Sequence, residues 1–171
     1  MMPVTLELAK KHCRVDGDYE DDLIKSYIEA AAGWVEKYTG HLLTERLVTL
    51  KFPRFGSELR LAIAPIKSVD SVTYLDGDGA EQTLTGARLY QGALLPQANT
   101  SWPATLSKSD VEVTVTAGYA EGDVPAELKQ AVMLLTSHQY ENREAVVVGT
   151  IAAEMPAGVV ALAHPFRVVL R

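Results

Sequence analysis

The chain has 171 residues, of which 47% are hydrophobic and 22% charged, and these values are typical of one soluble globular domain large enough to bury its own core. A net charge of −6 argues against a surface that attracts nucleic acid or anionic lipid. The single cysteine, Cys13, excludes an internal disulfide and a thiolate-rich metal site, and charges at Glu7, Lys10 and Lys11 leave no signal-peptide pattern.

Two helices are predicted in the first forty residues. Thr5 is placed to cap a short helix over "LELAKKHC", in which the cysteine is expected to be a small buried hydrophobe. After the turn "RVDGD", Asp18 is placed to cap a longer helix from about Tyr19 to Thr39, and Gly40 follows as a left-handed C-terminal cap. Apolar residues recur at helical spacing on two adjacent rows of this second helix, so we expect it to be packed on both flanks.

The middle of the chain, about residues 46–117, predicts an antiparallel β region. "RLVTLKF", "SVDSVTYL" and "VEVTVTAGY" alternate between apolar and polar residues. The stretch "DGDGA" after Leu75 favours a tight hairpin. It also resembles the start of a calcium loop, but the twelfth position counted from Asp76 is Ala87 instead of the required glutamate, which favours the hairpin. Residues 91–110 predict a long irregular connection.

A long helix is predicted from about residue 125 to residue 144. Pro125 is preorganised for its first turn. One face of this helix continues an apolar stripe, formed by Leu128, Ala131, Leu135, His138 and Asn142.

His138 is the strongest candidate for a catalytic residue. Its position favours a hydrogen-bonded histidine at the edge of the core, and the alternative is a catalytic pair with Glu141. Ser137 is its chain neighbour and therefore points about a quarter turn away on the helix. No nucleophile elbow, H-E-x-x-H pair, phosphate-binding loop or dinucleotide fingerprint occurs, and the remaining histidines are scattered. The sequence therefore predicts no catalytic, cofactor or metal site.

The C-terminal segment is poor in charge. From residue 145 to the end, the charged residues are Glu154, Arg167 and Arg171. Glycine and proline interrupt the segment before it reaches the roughly 20 apolar residues of a spanning helix, so we do not expect membrane insertion. Such a segment is either folded into the core or buried against a partner, and "FRVVLR" is suited to strand addition. The predicted class is α+β, with a helical core of two N-terminal helices and the long later helix, a central antiparallel β region with a hairpin, and an extended C-terminal arm.

Five stretches occur in an order that resembles the head–tail connector (adaptor, or head-completion) family of long-tailed phages and gene transfer particles. The stretches are "VTLELAKKHCRVDGDYEDDLIKSYIEAAAGWVEKYTG", "IKSVDSVTYLDGDGAEQTL", "VTVTAGY", "VPAELKQAVMLLTSHQYENREAVVVG" and "HPFRV". Together they cover most of the chain, and residues 42–62 and 86–110 match least. The segment "YENREAVVVG" after an amphipathic helix is the most distinctive of these features.

The resemblance implies a structural protein of the virion neck, assembled in the cytoplasm of the bacterial host. Such proteins form a ring, expected to contain twelve copies, beneath the portal protein of the filled head. The ring extends the DNA channel, through which DNA passes without specific binding, and it presents a platform for the next neck or tail-completion protein. No cofactor is implied.

Specific residues follow from the resemblance. Residues 1–158 would form one connector domain and residues 159–171 an arm that docks on the portal. The arm residues would be Phe166, Arg167, Val168, Val169 and Leu170. Charged residues at the end of the long helix would form ion pairs with a neighbouring subunit, namely Glu141, Arg143 and Glu144.

Three other functions stay open at the level of the sequence. A tail-completion or stopper protein would bind the tail tube and not the portal. A small hydrolase centred on His138 and Glu141 would lose most of its activity on His138→Ala. A DNA-binding packaging factor would bind duplex DNA with steep salt dependence, which the net charge of −6 disfavours.

Overall fold

The computed structural model describes residues 2–106, 109–143 and 156–169. The chain divides into two compact units. The helical unit combines residues 1–44 with 119–168, and the β unit combines residues 45–118 with 169–171. Helices and antiparallel sheets are therefore both present, which confirms the predicted α+β class.

Among its described residues, the helical unit contains four α-helices and a short 3-10 helix: α1 (Leu6–Cys13), α2 (Asp21–Thr39), α3 (Ala126–Glu141), α4 (Ala157–Ala163) and the 3-10 helix His164–Phe166. Helix α2 packs against α1, α3 and α4, and α3 also packs against α1 and α4. Within the described residues, no helix has the length and apolar character needed to cross a membrane.

The ends of the first two helices follow the sequence in part. Thr5 caps α1 as predicted, because its Oγ1 accepts a hydrogen bond from the Leu8 N–H at 3.3 Å. Gly40 ends α2 with a left-handed φ of 78°. The prediction that Asp18 caps α2 was wrong: the helix begins at Asp21, and Asp18 instead accepts a hydrogen bond from the Lys10 ammonium at 3.0 Å.

The core of the helical unit is formed by one row of α2 together with α3 and α4. Its fully buried members on α2 are Ile24, Ile28, Ala31 and Val35. They pack with Leu128, Ala131, Val132 and Leu135 of α3 and with Val159 and Ala163 of α4, and buried residues outside these helices such as Val4, Leu43 and Val124 belong to the same core. The second apolar row of α2 is less buried than predicted, because Leu23, Tyr27 and Trp34 are half-buried and Ala30 is exposed.

The described part of the β unit forms two antiparallel sheets. Its strands are β1 (Arg46–Phe52), β2 (Leu59–Arg60), β3 (Ile66–Leu75), β4 (Glu81–Thr83), β5 (Arg88–Tyr90), β6 (Ala93–Leu95) and β7 (Val111–Ala117). The larger sheet has the order β1-β7-β3-β4, and the smaller has the order β2-β6-β5. Strand β7 alternates as predicted: Val111, Val113 and Val115 are fully buried, and the residues between them are half-buried.

The predicted hairpin joins β3 and β4. Asp76 stabilises its turn, because Oδ1 accepts hydrogen bonds from the N–H groups of Asp78 and Ala80, each at 3.0 Å. The irregular connection predicted for residues 91–110 was partly wrong, since β6 lies within it and forms a second hairpin with β5. The turn of that hairpin places Gln91 and Gly92 at φ values of 47° and 75°.

The extended arm predicted from residue 159 was wrong for most of its length. Residue 158 lies inside α4, and residues 164–166 form the 3-10 helix. Val159 and Ala163 are four positions apart on one face of α4, and both are fully buried. Removal of these apolar side chains from water stabilises the helical conformation of this segment.

Candidate functional site

His138 lies on the half-buried edge of α3, as the apolar stripe predicted. Its Nδ1 is 3.4 Å from the Asn142 side-chain nitrogen, which also donates to the His138 carbonyl at 2.9 Å. The Ser137 hydroxyl donates to the Leu134 carbonyl and does not contact the imidazole. In the part of the chain that the structure describes, His138 therefore lacks the nucleophile or second base that a catalytic histidine requires.

The charged end of α3 is held within its own chain. The Arg143 guanidinium donates to Glu20 Oε1 at 2.6 Å, and the Tyr140 hydroxyl donates to Glu20 Oε2 at 2.5 Å. The Arg143 guanidinium also lies 4.8 Å from the centre of the Tyr140 ring. Of the other two residues predicted at a subunit interface, Glu141 is exposed and Glu144 lies outside the described residues.

Glu20, Tyr140 and Arg143 form one electrostatic cluster. Hydrogen bonds lower the pKa of the Glu20 carboxyl from its ordinary value, with the larger effect from Tyr140 and the smaller from Arg143. The same carboxylate raises the pKa of Tyr140, since it stabilises the protonated hydroxyl. Sequence reasoning missed this cluster because Glu20 precedes Arg143 by 123 positions.

Some of the predicted docking residues contact other residues of the helical unit, and Val169 faces solvent. The Phe166 ring contacts the His41 ring edge-on at 5.7 Å, and the Arg167 guanidinium lies 5.2 Å from the Tyr38 ring centre. The Val168 N–H donates to the Thr39 carbonyl at 2.7 Å. Val169 is 65% exposed, and Leu170 lies outside the described residues.

Two histidine–tyrosine pairs hold the same end of the helical unit. The Tyr119 hydroxyl lies 2.7 Å from His41 Nδ1 and the Tyr38 hydroxyl 3.1 Å from His164 Nδ1. Burial lowers the pKa of His41 and raises the pKa of Tyr119. We call His41, Tyr119, Phe166, Tyr38 and His164 the aromatic clasp. The sequence interpretation described these histidines only as scattered, because nothing in the local pattern indicates which residues they meet.

No group of three His, Cys, Asp or Glu side chains suited to a metal ion occurs within the described ranges. Cys13 is half-buried in α1, and burial raises the pKa of its thiol, which disfavours the reactive thiolate.

Comparison with known proteins gives concordant matches in sequence and fold. The phage gp6-like head–tail connector protein family matches residues 3–67. A chain from the neck of an empty gene transfer agent particle, computed with C6 symmetry, is 28% identical with a TM-score of 0.81, over 99% of this chain and 91% of that chain. A chain from the virion of the native particle is also 28% identical, with a TM-score of 0.77 and the same coverage.

A chain from the neck of the native particle, computed with C12 symmetry, is 29% identical with a TM-score of 0.72, over 96% of this chain and 90% of that chain. A search of curated proteins gives no match. Together these matches support a phage head–tail connector, that is, a structural protein of the neck. This family is not a class of enzymes.

Proposed function

We propose that the chain is the subunit of a ring that lies beneath the portal, joins the DNA-filled head to the tail and extends the DNA channel. The observation that carries the proposal is the fold match over at least 96% of the chain to proteins in necks computed with C6 and C12 symmetry. A subunit that repeats about the particle axis forms a closed ring, for which twelve copies are expected. On this proposal it is assembled in the host cytoplasm and resides in the virion neck.

The partners proposed for the ring are the portal protein on one side and the next neck or tail-completion protein on the other. DNA is proposed to pass through the ring without specific binding. The net charge of −6 supports this, because 22 acidic residues outnumber 16 basic ones and so disfavour binding to phosphates.

We propose a shorter docking arm than the sequence predicted. Phe166, Arg167 and Val168 are engaged with α2, so they can reach the portal only if those contacts open. Val169 is largely exposed, and with Leu170 it forms the part of the arm that we propose to contact the portal first. Apolar side chains at a chain terminus are suited to a groove or a sheet edge on a partner.

The charged end of α3 is proposed to face the neighbouring subunit. Glu141 is exposed and, with Glu144, is the proposed source of negative charge for that contact. Arg143 already pairs with Glu20 of its own chain, so we propose that it orients the end of α3.

Mass photometry of the purified chain with and without its portal protein tests the ring and the arm together. We expect the portal to recruit about twelve copies. A variant that ends at Val168 keeps every described contact of the helical unit and should lose recruitment. The matched control is full-length Arg171→Gln, which loses the same charge but keeps the apolar residues.

Two outcomes would contradict the proposal. A full-length chain that ignores the portal and binds the tail tube would be a tail-completion or stopper protein. Undiminished recruitment of the shortened variant would leave the ring intact and overturn the arm.

A further inference from the structure

We infer that the two outer edges of the larger sheet bind each other between neighbouring copies, with strand β1 of one copy receiving the β3–β4 hairpin of the next. The inference rests on the proposed ring and names the surfaces that close it. All residues involved lie in the β unit.

Strand β1 presents a long regular edge. It pairs with β7 along all seven of its residues without a register shift, and none of the described residues pairs with its other side. Edges of this kind are usually shortened, bulged or interrupted by proline, because free N–H and C=O groups invite another strand. Here Pro53 follows the strand and does not interrupt it.

The exposed face of β1 also carries an apolar side chain. Leu47 is 67% exposed, whereas Thr49 and Lys51 on the same face have polar partners across the sheet. Covering a large apolar side chain at a sheet edge with a second chain removes it from water and so stabilises the contact.

The opposite edge of the same sheet is formed by β4 and the turn that precedes it. Strand β4 is the last in the order β1-β7-β3-β4, and its three residues Glu81–Thr83 are exposed. The turn is internally hydrogen-bonded through Asp76, so the hairpin is preorganised before it meets a partner.

The two edges are opposite in charge. Residues 46–54 contain three cationic side chains and no acidic one, namely Arg46, Lys51 and Arg54, of which Lys51 is paired with Glu112 of β7. Residues 76–81 contain three acidic side chains and no cationic one, namely Asp76, Asp78 and Glu81. Complementary charge favours contact between unlike edges and disfavours β1 against β1 or hairpin against hairpin.

This arrangement satisfies the geometry of a ring. Cyclic rings need heterologous contacts, in which one surface binds a different surface of the next copy. The two edges lie on opposite sides of one sheet, so each copy can bind one neighbour through each. A second copy of this chain is therefore the occupant that the edges fit.

Cysteine crosslinking tests the contact directly. In a Cys13→Ala background, Thr49→Cys and Thr83→Cys place one thiol in β1 and one in β4, both at exposed positions. Within one sheet, three strand spacings of about 4.8 Å separate these strands by roughly 14 Å, so a shorter bismaleimide cannot join them in the same copy. Thr49→Cys with Tyr90→Cys in β5 is the matched control, because Tyr90 is also exposed but lies outside the larger sheet.

Portal-bound samples of the double variant should yield a ladder of covalent oligomers. A mixture of the two single variants should yield dimers only, and each single variant alone should yield none. Crosslinks from Thr49→Cys alone would mean that β1 meets β1 and would overturn the inference. Complete rings, seen by mass photometry in the same samples, without crosslinks would overturn the edge contact but not the ring. Absence of rings in every sample would overturn the proposed function and this inference with it.

Charge reversal provides a second test. Arg54→Glu and Glu81→Arg should each raise the concentration needed for half-maximal ring formation by roughly tenfold. The double variant restores opposite charges on the two edges, and its concentration for half-maximal ring formation should return close to that of the unmodified chain. Two single effects that merely add in the double variant would contradict direct pairing of the edges.

Discussion

The two ends of helix α2 are held by different kinds of interaction. At its N-terminal end, Lys10 pairs with Asp18 and Asp21 at 3.0 and 2.6 Å, and Glu20 receives hydrogen bonds from Tyr140 and Arg143. All of these side chains except Tyr140 are charged; Asp18 and Arg143 are exposed, and the others are half-buried. At the C-terminal end, the half-buried rings of Tyr119 and Phe166 pack against His41, and the Val168 N–H donates a backbone hydrogen bond to Thr39.

The contrast separates two physical sources of order. Ion pairs that solvent reaches are screened by salt and contribute little net stability, while half-buried rings contribute through the area they remove from water. Mutations at the aromatic end should therefore affect unfolding, and mutations at the charged end should mainly change its dependence on pH and salt. This difference matters for assembly, because the residues proposed to contact partners begin immediately beyond the two ends.

A substitution at the buried centre of α2 should have the largest effect on the free energy of unfolding. Ile28 is fully buried among residues of α2, α3 and α4, and Ile28→Ala should lower the free energy of unfolding by roughly 2–5 kcal/mol. Urea denaturation followed by circular dichroism measures the change. Leu8→Ala is the control, since Leu8 in α1 is 43% exposed and should matter far less. Equal losses in the two variants would contradict the assigned core.

The aromatic clasp should give the next largest effect. Phe166→Ala removes the ring that contacts His41, and because Phe166 is only half-buried we expect a loss of about 2 kcal/mol, below that of a fully buried phenylalanine. The same denaturation experiment measures it. Val169→Ala, at an exposed position three residues later, should leave the free energy of unfolding unchanged.

The same two variants also distinguish arm residues that stabilise the fold from those proposed to contact the portal. If Val169→Ala weakens portal recruitment without changing stability, the residue acts in docking. A stability loss at Val169 equal to that at Phe166 would instead extend the clasp to the end of the described chain.

Local features of the fold were predictable because their causes lie within a few residues. Thr5 caps α1, Gly40 ends α2 and Asp76 stabilises its hairpin through atoms at most four positions away. Asp18 failed as a cap because Lys10, eight positions earlier, supplies a competing partner. No local pattern contains that competition.

Helix α4 and the site residues depend on contacts that are distant in sequence. The stretch "AGVVALA" shows no helical period, and α4 is helical where Val159 and Ala163 are buried against the rest of the helical unit. His41 meets Tyr119 at a separation of 78 positions. The order of motifs identified the family, but only the fold shows that Phe166 is clasped while Val169 is exposed.

The aromatic end should respond to mild acid. Burial lowers the pKa of His41 below its ordinary value of 6.5, so the unfolded chain binds this proton more readily than the folded chain. The contribution of His41 is complete above pH 6.5 and is lost as the pH falls through the lower pKa of the folded state. His41→Phe keeps an aromatic ring but should flatten this part of the curve of unfolding free energy against pH.

Tyr119→Phe distinguishes the cause of the His41 response. Because burial and not the Tyr119 hydroxyl lowers the pKa, this variant should retain the slope below pH 6.5. Loss of the slope would assign the response to the hydrogen bond instead.

The charged end should give the smallest effect, and at lower pH. Hydrogen bonds from Tyr140 and Arg143 lower the pKa of Glu20 below its ordinary value of 4.5, so its contribution is complete above that pH and is lost as the pH falls through the folded-state value. Glu20→Gln should therefore flatten only the acid limb below pH 4.5, measured by urea denaturation at low salt. Tyr140→Phe removes the larger cause and should reproduce most of that change, whereas Lys25→Gln, which breaks an exposed pair with Asp22, should not. If Lys25→Gln changed the acid limb as much as Glu20→Gln, net charge and not this cluster would control the stability at low pH. The two ends of α2 would then differ only in how deeply their side chains are buried.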